Sequence, residues 1–140
     1  MVKQSNINIR FAGISDAEKI AEYDKHISLK ELENIIELER VYLAELNNKF
    51  AGWLRYNLFW DNTPFMNMIY ILEEYRGKGT GRKLVEVWET DMKKLGFNIV
   101  MTSSSSEEYG QHFFISLGYN AVGGFMPNRE PYEIIFSKKL

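Results

Sequence analysis

Met68-Ile69-Tyr70-Ile71-Leu72-Glu73-Glu74-Tyr75-Arg76-Gly77-Lys78-Gly79-Thr80-Gly81-Arg82-Lys83 joins an apolar run able to form a strand to a glycine-rich turn, and that turn to an amphipathic stretch. Glycine reaches positive φ without a steric penalty and places no side chain in the path of a ligand. The first N–H groups of the helix that follows have no intrahelical partner and lie at the positive end of its dipole. Arg76, Lys78, Arg82 and Lys83 add cationic reach. Strand, glycine turn and helix start in this order make an anion site, suited above all to phosphate groups. The bland alternative is an ordinary strand-to-helix turn with solvated basic residues.

Two familiar phosphate loops fit this spacing poorly. One needs G-x-x-x-x-G-K-[ST], and no Lys-Ser or Lys-Thr follows the last glycine here. The dinucleotide fingerprint needs G-x-G-x-x-G in an early βαβ unit, whereas this loop reads G-x-G-x-G, begins past mid-chain and is led by an arginine.

Composition narrows the classes further. A chain of 140 residues is long enough for one compact domain with a real core and too short for two of usual size. With 45% hydrophobic and 14% aromatic residues, disorder is not expected. The net charge of −2 argues against a nucleic-acid surface but leaves room for an anionic ligand, because the positive charge that matters is local. There is no cysteine, which excludes disulfides, thiolate metal sites and thiol nucleophiles, and His26 and His112 alone do not make a metal centre. No apolar run approaches a membrane span and no signal-peptide pattern opens the chain, so a soluble cytoplasmic protein is the expectation.

Along the chain, Ile7 to Phe11 alternates like a half-buried strand. Ser15 with Glu18, and Ser28 with Glu31, match capping boxes that open two short helices. Val41 to Leu46 and Lys49 to Phe59 read as a hairpin turning at Asn47-Asn48. Asp61-Asn62-Thr63-Pro64 interrupts before a strand from about Phe65 to Leu72. A long helix from Thr80 to Leu95 sets Leu84, Val85, Trp88, Met92 and Leu95 on one face, with Gly96 as its C-cap. Phe97 to Thr102 is a further strand; Ser103 to Ser106 leads into a helix, with Ser105 and Glu108 as a candidate cap. Gly110, Phe113, Phe114 and Leu117 give that helix its apolar face, and strands near Tyr119 to Phe125 and Tyr132 to Lys138 close the chain. The reading is an α/β (α+β) layered domain covering residues 1–140, a mixed sheet with helices on both faces.

Arg76-Gly77-Lys78-Gly79-Thr80-Gly81 resembles the Q/R-x-x-G-x-G/A signature of the GNAT superfamily of acyl-CoA-dependent N-acyltransferases. Phe113 to Tyr119 resembles that family's F-Y-x-x-x-G-F segment, and Glu133 to Leu140 its closing strand, so the likeness spans about residues 7 to 140. The resemblance implies a largely antiparallel central sheet, splayed between the central strand and Phe97 to Thr102. It implies acetyl-CoA as acyl donor, with the backbone of Ile69, Tyr70 and Ile71 beside the pantetheine arm. The amides of Gly77, Lys78, Gly79, Thr80 and Gly81 would hold the pyrophosphate, with Arg76 at the loop's mouth and Lys78, Arg82 or Lys83 on phosphate oxygens. The implied activity is acetyl transfer to an amine of a small molecule or protein by direct attack in a ternary complex. The partners are then acetyl-CoA and the amine, with no nucleic acid or membrane, and the final strands are available for pairing across a homodimer.

A backbone N–H of the Ile69 to Ile71 strand, with Ile71 favoured, is the oxyanion donor this reading requires. The family's usual tyrosine falls on Phe114, which has no proton to give. The alternatives are protonation by water, unassisted departure of the thiolate, or a substitute donor among Tyr109, His112 and Ser116. The family's strand carboxylate is missing too, Met66 and Asn67 occupying that stretch. Glu73 and Glu74 are the nearest acids, ahead of Asp61, Asp24 and His26 as candidate bases. A non-catalytic acyl-CoA-binding module is therefore the second hypothesis, and a nucleotide-binding α/β protein a distant third. The aromatic group Trp53, Tyr56, Phe59, Trp60 and Phe65 reads mostly as packing, with Trp60-Asp61 available to wall an acceptor pocket.

Overall fold

The computed structural model describes residues 6–140. Its strands and helices run β1 (Ile7–Phe11), α1 (Ala17–Tyr23), α2 (Leu29–Glu37), β2 (Val41–Leu46), β3 (Lys49–Phe59), β4 (Thr63–Ile71), α3 (Thr80–Lys94), β5 (Ile99–Ser105), α4 (Gly110–Ser116), β6 (Asn120–Phe125) and β7 (Glu133–Lys139). Short 3-10 turns at Ile14–Asp16 and Glu73–Tyr75 precede α1 and the glycine loop. The strands follow the order β1-β2-β3-β4-β5-β7-β6. The β1/β2, β2/β3, β5/β7 and β6/β7 ladders are antiparallel, while Phe65 and Met66 of β4 pair in parallel with Met101 and Thr102 of β5. The sheet is mixed and largely antiparallel, as the sequence led one to expect.

The chain groups into two compact units. One takes in the described residues through Asn57 together with Met68–Trp88. Its core joins Ile20 of α1 and Leu32, Ile35 and Ile36 of α2 to Val41, Leu43 and Trp53 on the sheet, with Met68 packed against them. Asn47 and Asn48 both take positive φ (53° and 66°), which is what a two-residue hairpin turn requires and asparagine tolerates. Between β2 and β3 the register shifts at Ala44/Glu45, where Gly52 and Phe50 are successive partners and Ala51 is the extra residue. That bulge turns Phe50 onto the face that carries Trp53, and their rings stack at 6.1 Å.

The second unit comprises Leu58–Asn67 and Glu89–Leu140. Phe114 of α4 packs its ring against Tyr119 and Phe136, 5.8 and 5.9 Å away. The Tyr119 hydroxyl donates to Glu89 Oε2 at 2.7 Å, and Lys138 Nζ donates to Glu89 Oε1 at 3.0 Å. Burial, then Glu89, holds the Tyr119 hydroxyl above the ordinary tyrosine range, so its proton stays in this bond. Thr102 Oγ1 donates to the Met66 carbonyl at 2.9 Å, a side-chain tie where β5 pairs with β4.

Four local expectations need correction. Ser15 does not cap α1: Asp16 flanks that helix, and its carboxylate takes the Gly13 N–H at 2.8 Å and the Arg10 guanidinium at 2.8 and 3.1 Å. The Asp16 side chain makes no cap bond to α1 either, since its carboxylate is held by the turn that precedes the helix. Ser103, Ser104 and Ser105 belong to β5, because β7 supplies a full antiparallel partner strand and pairing overrides weak serine propensity. Ser105 Oγ accepts from Glu107 N in the turn beyond, and Tyr109, with no side-chain cap bond, flanks α4. Leu95 leaves the buried face of α3 and is 67% exposed. The helix ends at Lys94 and Gly96 at φ +98° closes it, with Leu95 N on Asp91 O, Gly96 N on Lys93 O and Phe97 N on Met92 O, so Leu95 sits at the capped end. Ser28, by contrast, caps α2 through Glu31 N at 3.2 Å.

Candidate functional site

β4 reaches its end under close constraint from β3. A Cβ on Gly52 would lie 2.3 Å from the Tyr70 carbonyl oxygen and 2.8 Å from Ile71 Cδ1. Only glycine lets the two backbones approach this closely. Leu72 N then donates to Ala51 O at 2.8 Å, and the chain leaves the sheet through Glu73–Tyr75. Arg76 is extended, and Gly77 and Gly79 take φ of +77° and +83°. Nothing lies within 4 Å of a Cβ built on either glycine. They are glycines for backbone conformation, and their outer surface is open.

The hydrogen bonding of α3 begins with Lys83 N on Gly79 O at 3.0 Å. The amides of Thr80, Gly81 and Arg82 precede that first bond, so the helix itself leaves them unused. Lys78, Arg82 and Lys83 are exposed around them. Thr80 is 2% exposed and its hydroxyl has no hydrogen-bond partner. A buried hydroxyl left unsatisfied costs about 1 to 3 kcal/mol, and such groups collect at functional sites. A phosphate oxygen has the chemistry to satisfy it and the helix-start amides together. The residues present therefore fit a polyphosphate, on geometry as well as on spacing.

Ile69, Tyr70, Ile71, Arg76, Gly77, Lys78, Gly79, Thr80, Gly81 and Arg82 all fall in the first unit, along with Glu73. Arg76 does not extend freely: its Nε donates to the Ile71 carbonyl at 2.8 Å and its guanidinium lies 5.2 Å from the Tyr70 ring centre. Glu73 and Glu74 are exposed in the turn between β4 and the loop. Phe114 belongs to the other unit, 4% exposed. Of the residues weighed to replace a tyrosine there, the Ser116 hydroxyl donates to the Phe113 carbonyl at 2.6 Å, and Tyr109 and His112 are exposed.

Asp24 is removed from the candidate bases. Its carboxylate is buried, with Oδ2 accepting from Arg55 Nε at 2.7 Å and Trp53 Nε1 at 3.1 Å, and Oδ1 from Arg55 Nη2 at 3.3 Å and His26 N at 3.2 Å. Burial works against its charge, but Arg55 and the two N–H donors outweigh it and hold the acid below its usual range. Four satisfied acceptor positions leave it no free lone pair for a substrate proton. Sequence reading missed this network, since 29 and 31 residues separate the partners and only the fold brings them together. Trp53 and Tyr56 are core residues, whereas Trp60 is 80% exposed at a positive-φ turn. Among the described residues no group of three or more His, Cys, Asp or Glu is placed to hold a metal, and no helix is long and apolar enough to cross a membrane.

An uncharacterized N-acetyltransferase of Chlorobaculum tepidum is 31% identical over 121 residues, covering 82% of this chain and 74% of that protein. Ard1 from Thermoplasma volcanium has the same fold, with a TM-score of 0.83 at 10% identity over 96% of this chain and 97% of that one. The paia N-acetyltransferase of Thermoplasma acidophilum, solved in complex with coenzyme A, superimposes with a TM-score of 0.81 at 20% identity over 96% and 99% of the two chains. The sequence profile of the acetyltransferase (GNAT) family matches residues 10–119, and the chain belongs to that family.

Proposed function

We propose that this protein transfers an acetyl group from acetyl-CoA to a primary amine by direct attack in a ternary complex. The observation that carries the reading is the loop from Arg76 to Gly81: two positive-φ glycines with open outer surfaces, three helix-start amides and a buried, unpartnered Thr80 hydroxyl. In this reading the amides of Gly77 to Gly81 take the pyrophosphate, and Lys78, Arg82 and Lys83 supply charge-assisted contacts. The backbone of Ile69 to Ile71 runs beside the pantetheine arm, and the Ile71 N–H faces the thioester oxygen.

The bound thioester supplies an acyl group already activated toward amines. What remains for the chain is orientation, charge stabilisation at the carbonyl oxygen and removal of two protons, one before attack and one as the amide forms. An alkylamine with a pKa of about 10.4 is mostly protonated at neutral pH, so it enters with a proton to lose. Glu73, exposed just past β4, is the residue we assign to receive it, directly or through water. The new C–N bond forms as the C–S bond breaks, the sulfur leaves as thiolate without a proton from Phe114, and the nitrogen's second proton passes to solvent water as the neutral amide forms.

That last step makes a prediction. If the departing thiolate needed an acid, its absence would slow transfer by about 100-fold or more. Phe114→Tyr is therefore expected to change kcat by no more than about threefold; a rise near 100-fold would show that leaving-group protonation limits the native enzyme. One observation favours a second reading, a non-catalytic acyl-CoA binder: position 114 carries a ring with no hydroxyl, packed against Tyr119 and Phe136. Free thiol release from acetyl-CoA across a panel of amines and peptide N-termini separates the two. Amine-dependent release establishes the enzyme. Tight coenzyme binding with no release from any acceptor establishes the binder.

A further inference from the structure

We infer that Tyr70 is a positioning residue whose ring holds the Arg76 guanidinium against the Ile71 carbonyl, so that Arg76 fastens the end of β4 and does not serve as a free phosphate arm. The inference rests on the coenzyme reading above and assigns a role within that site. Tyr70 is 41% exposed, and its ring centre lies 5.3 Å from that of Trp53, tilted by 35°, and 5.2 Å from the Arg76 guanidinium carbon. Trp53 is itself buried, 1% exposed and bonded through its indole N–H to the buried Asp24 carboxylate. The ring beside the guanidinium thus also touches a buried, hydrogen-bonded indole.

Both main-chain groups at the strand end are consequently tied. The Leu72 N–H goes to Ala51 of β3, and the Ile71 carbonyl goes to Arg76 Nε. The chain enters the glycine loop immediately afterwards. A planar guanidinium can donate in its own plane while stacking through its face, and a lysine ammonium cannot do both. The arrangement sets the direction of the Ile69 to Ile71 backbone relative to the loop. That direction matters only to a ligand that must lie along both.

Calorimetric titration with coenzyme A and with adenosine 3′,5′-bisphosphate, which lacks the pantetheine arm, tests the assignment. Tyr70→Leu and Arg76→Lys should each weaken coenzyme A by about tenfold, while the bisphosphate binds within about twofold of wild type. Tyr70→Phe keeps the ring and should restore most of the affinity that Tyr70→Leu loses. The double variant should be no weaker than either single one, as expected of two residues acting through one contact. Thermal melting of each variant shows that it is folded. Additive losses, equal losses for both ligands, or wild-type coenzyme affinity in Arg76→Lys or Tyr70→Leu would overturn the inference. Failure of the wild-type protein to bind coenzyme A would instead remove the coenzyme reading, and the clasp with it.

Discussion

Asp24 shows how a residue's role follows from its neighbours. A buried carboxylate with an arginine partner is a costly arrangement that yields little net stability, yet removing one partner leaves the other charge stranded. Asp24→Asn should therefore destabilise the protein by about 3 to 5 kcal/mol in urea unfolding, and joining it with Arg55→Met should recover much of that loss. The pH dependence has a definite sign. Because the folded carboxyl titrates below its unfolded value, its contribution is complete above about pH 4 and is lost as the pH falls through the lower folded value. Acid unfolding of Asp24→Asn should accordingly show a shallower decline below pH 4 than wild type. An unchanged acid limb would mean that the Arg55 pair does not set the carboxyl's titration.

Among the elements, those written in local chemistry were legible and those decided by distant partners were not. The glycine loop, the Asn47-Asn48 turn and the Ser28 cap each state their backbone requirement in adjacent residues, and the structure has all three. Ser28→Ala should cost about 1 kcal/mol, read as a shift in the urea midpoint with an unchanged slope. The Ser103 to Ser105 run became strand because β7 lies alongside it, which no neighbouring residue announces. Gly52 was equally silent, reading as one more glycine in a strand, although the Tyr70 carbonyl sits where its Cβ would be. Gly52→Ala should cost about 1 to 3 kcal/mol by forcing β3 from β4, and it should weaken coenzyme binding in the same variant. Stability and affinity both equal to wild type would show that β4 can give way without consequence.

For the whole molecule, the succession of elements and the loop made the family recognisable, while the acceptor stayed hidden. In the proposed reading, phosphate recognition relies on backbone amides, which glycine spacing betrays; side chains brought together from separate segments would carry no fixed spacing. The chain's net charge of −2 means that attraction for a polyanionic coenzyme must come from the few groups at the loop. A ligand that binds only the folded state at 100 times its dissociation constant stabilises by about 2.7 kcal/mol, so coenzyme A should raise the melting temperature by several degrees. ATP and NAD at the same concentration should raise it less. The central claim, that main-chain amides from Gly77 to Gly81 receive the pyrophosphate, is tested most directly by amide chemical shifts in the 15N-labelled protein titrated with coenzyme A. The account predicts that the largest shifts fall on Gly77 to Arg82 and Ile69 to Ile71, and that they vanish in Gly79→Val; saturable shifts centred elsewhere would contradict it.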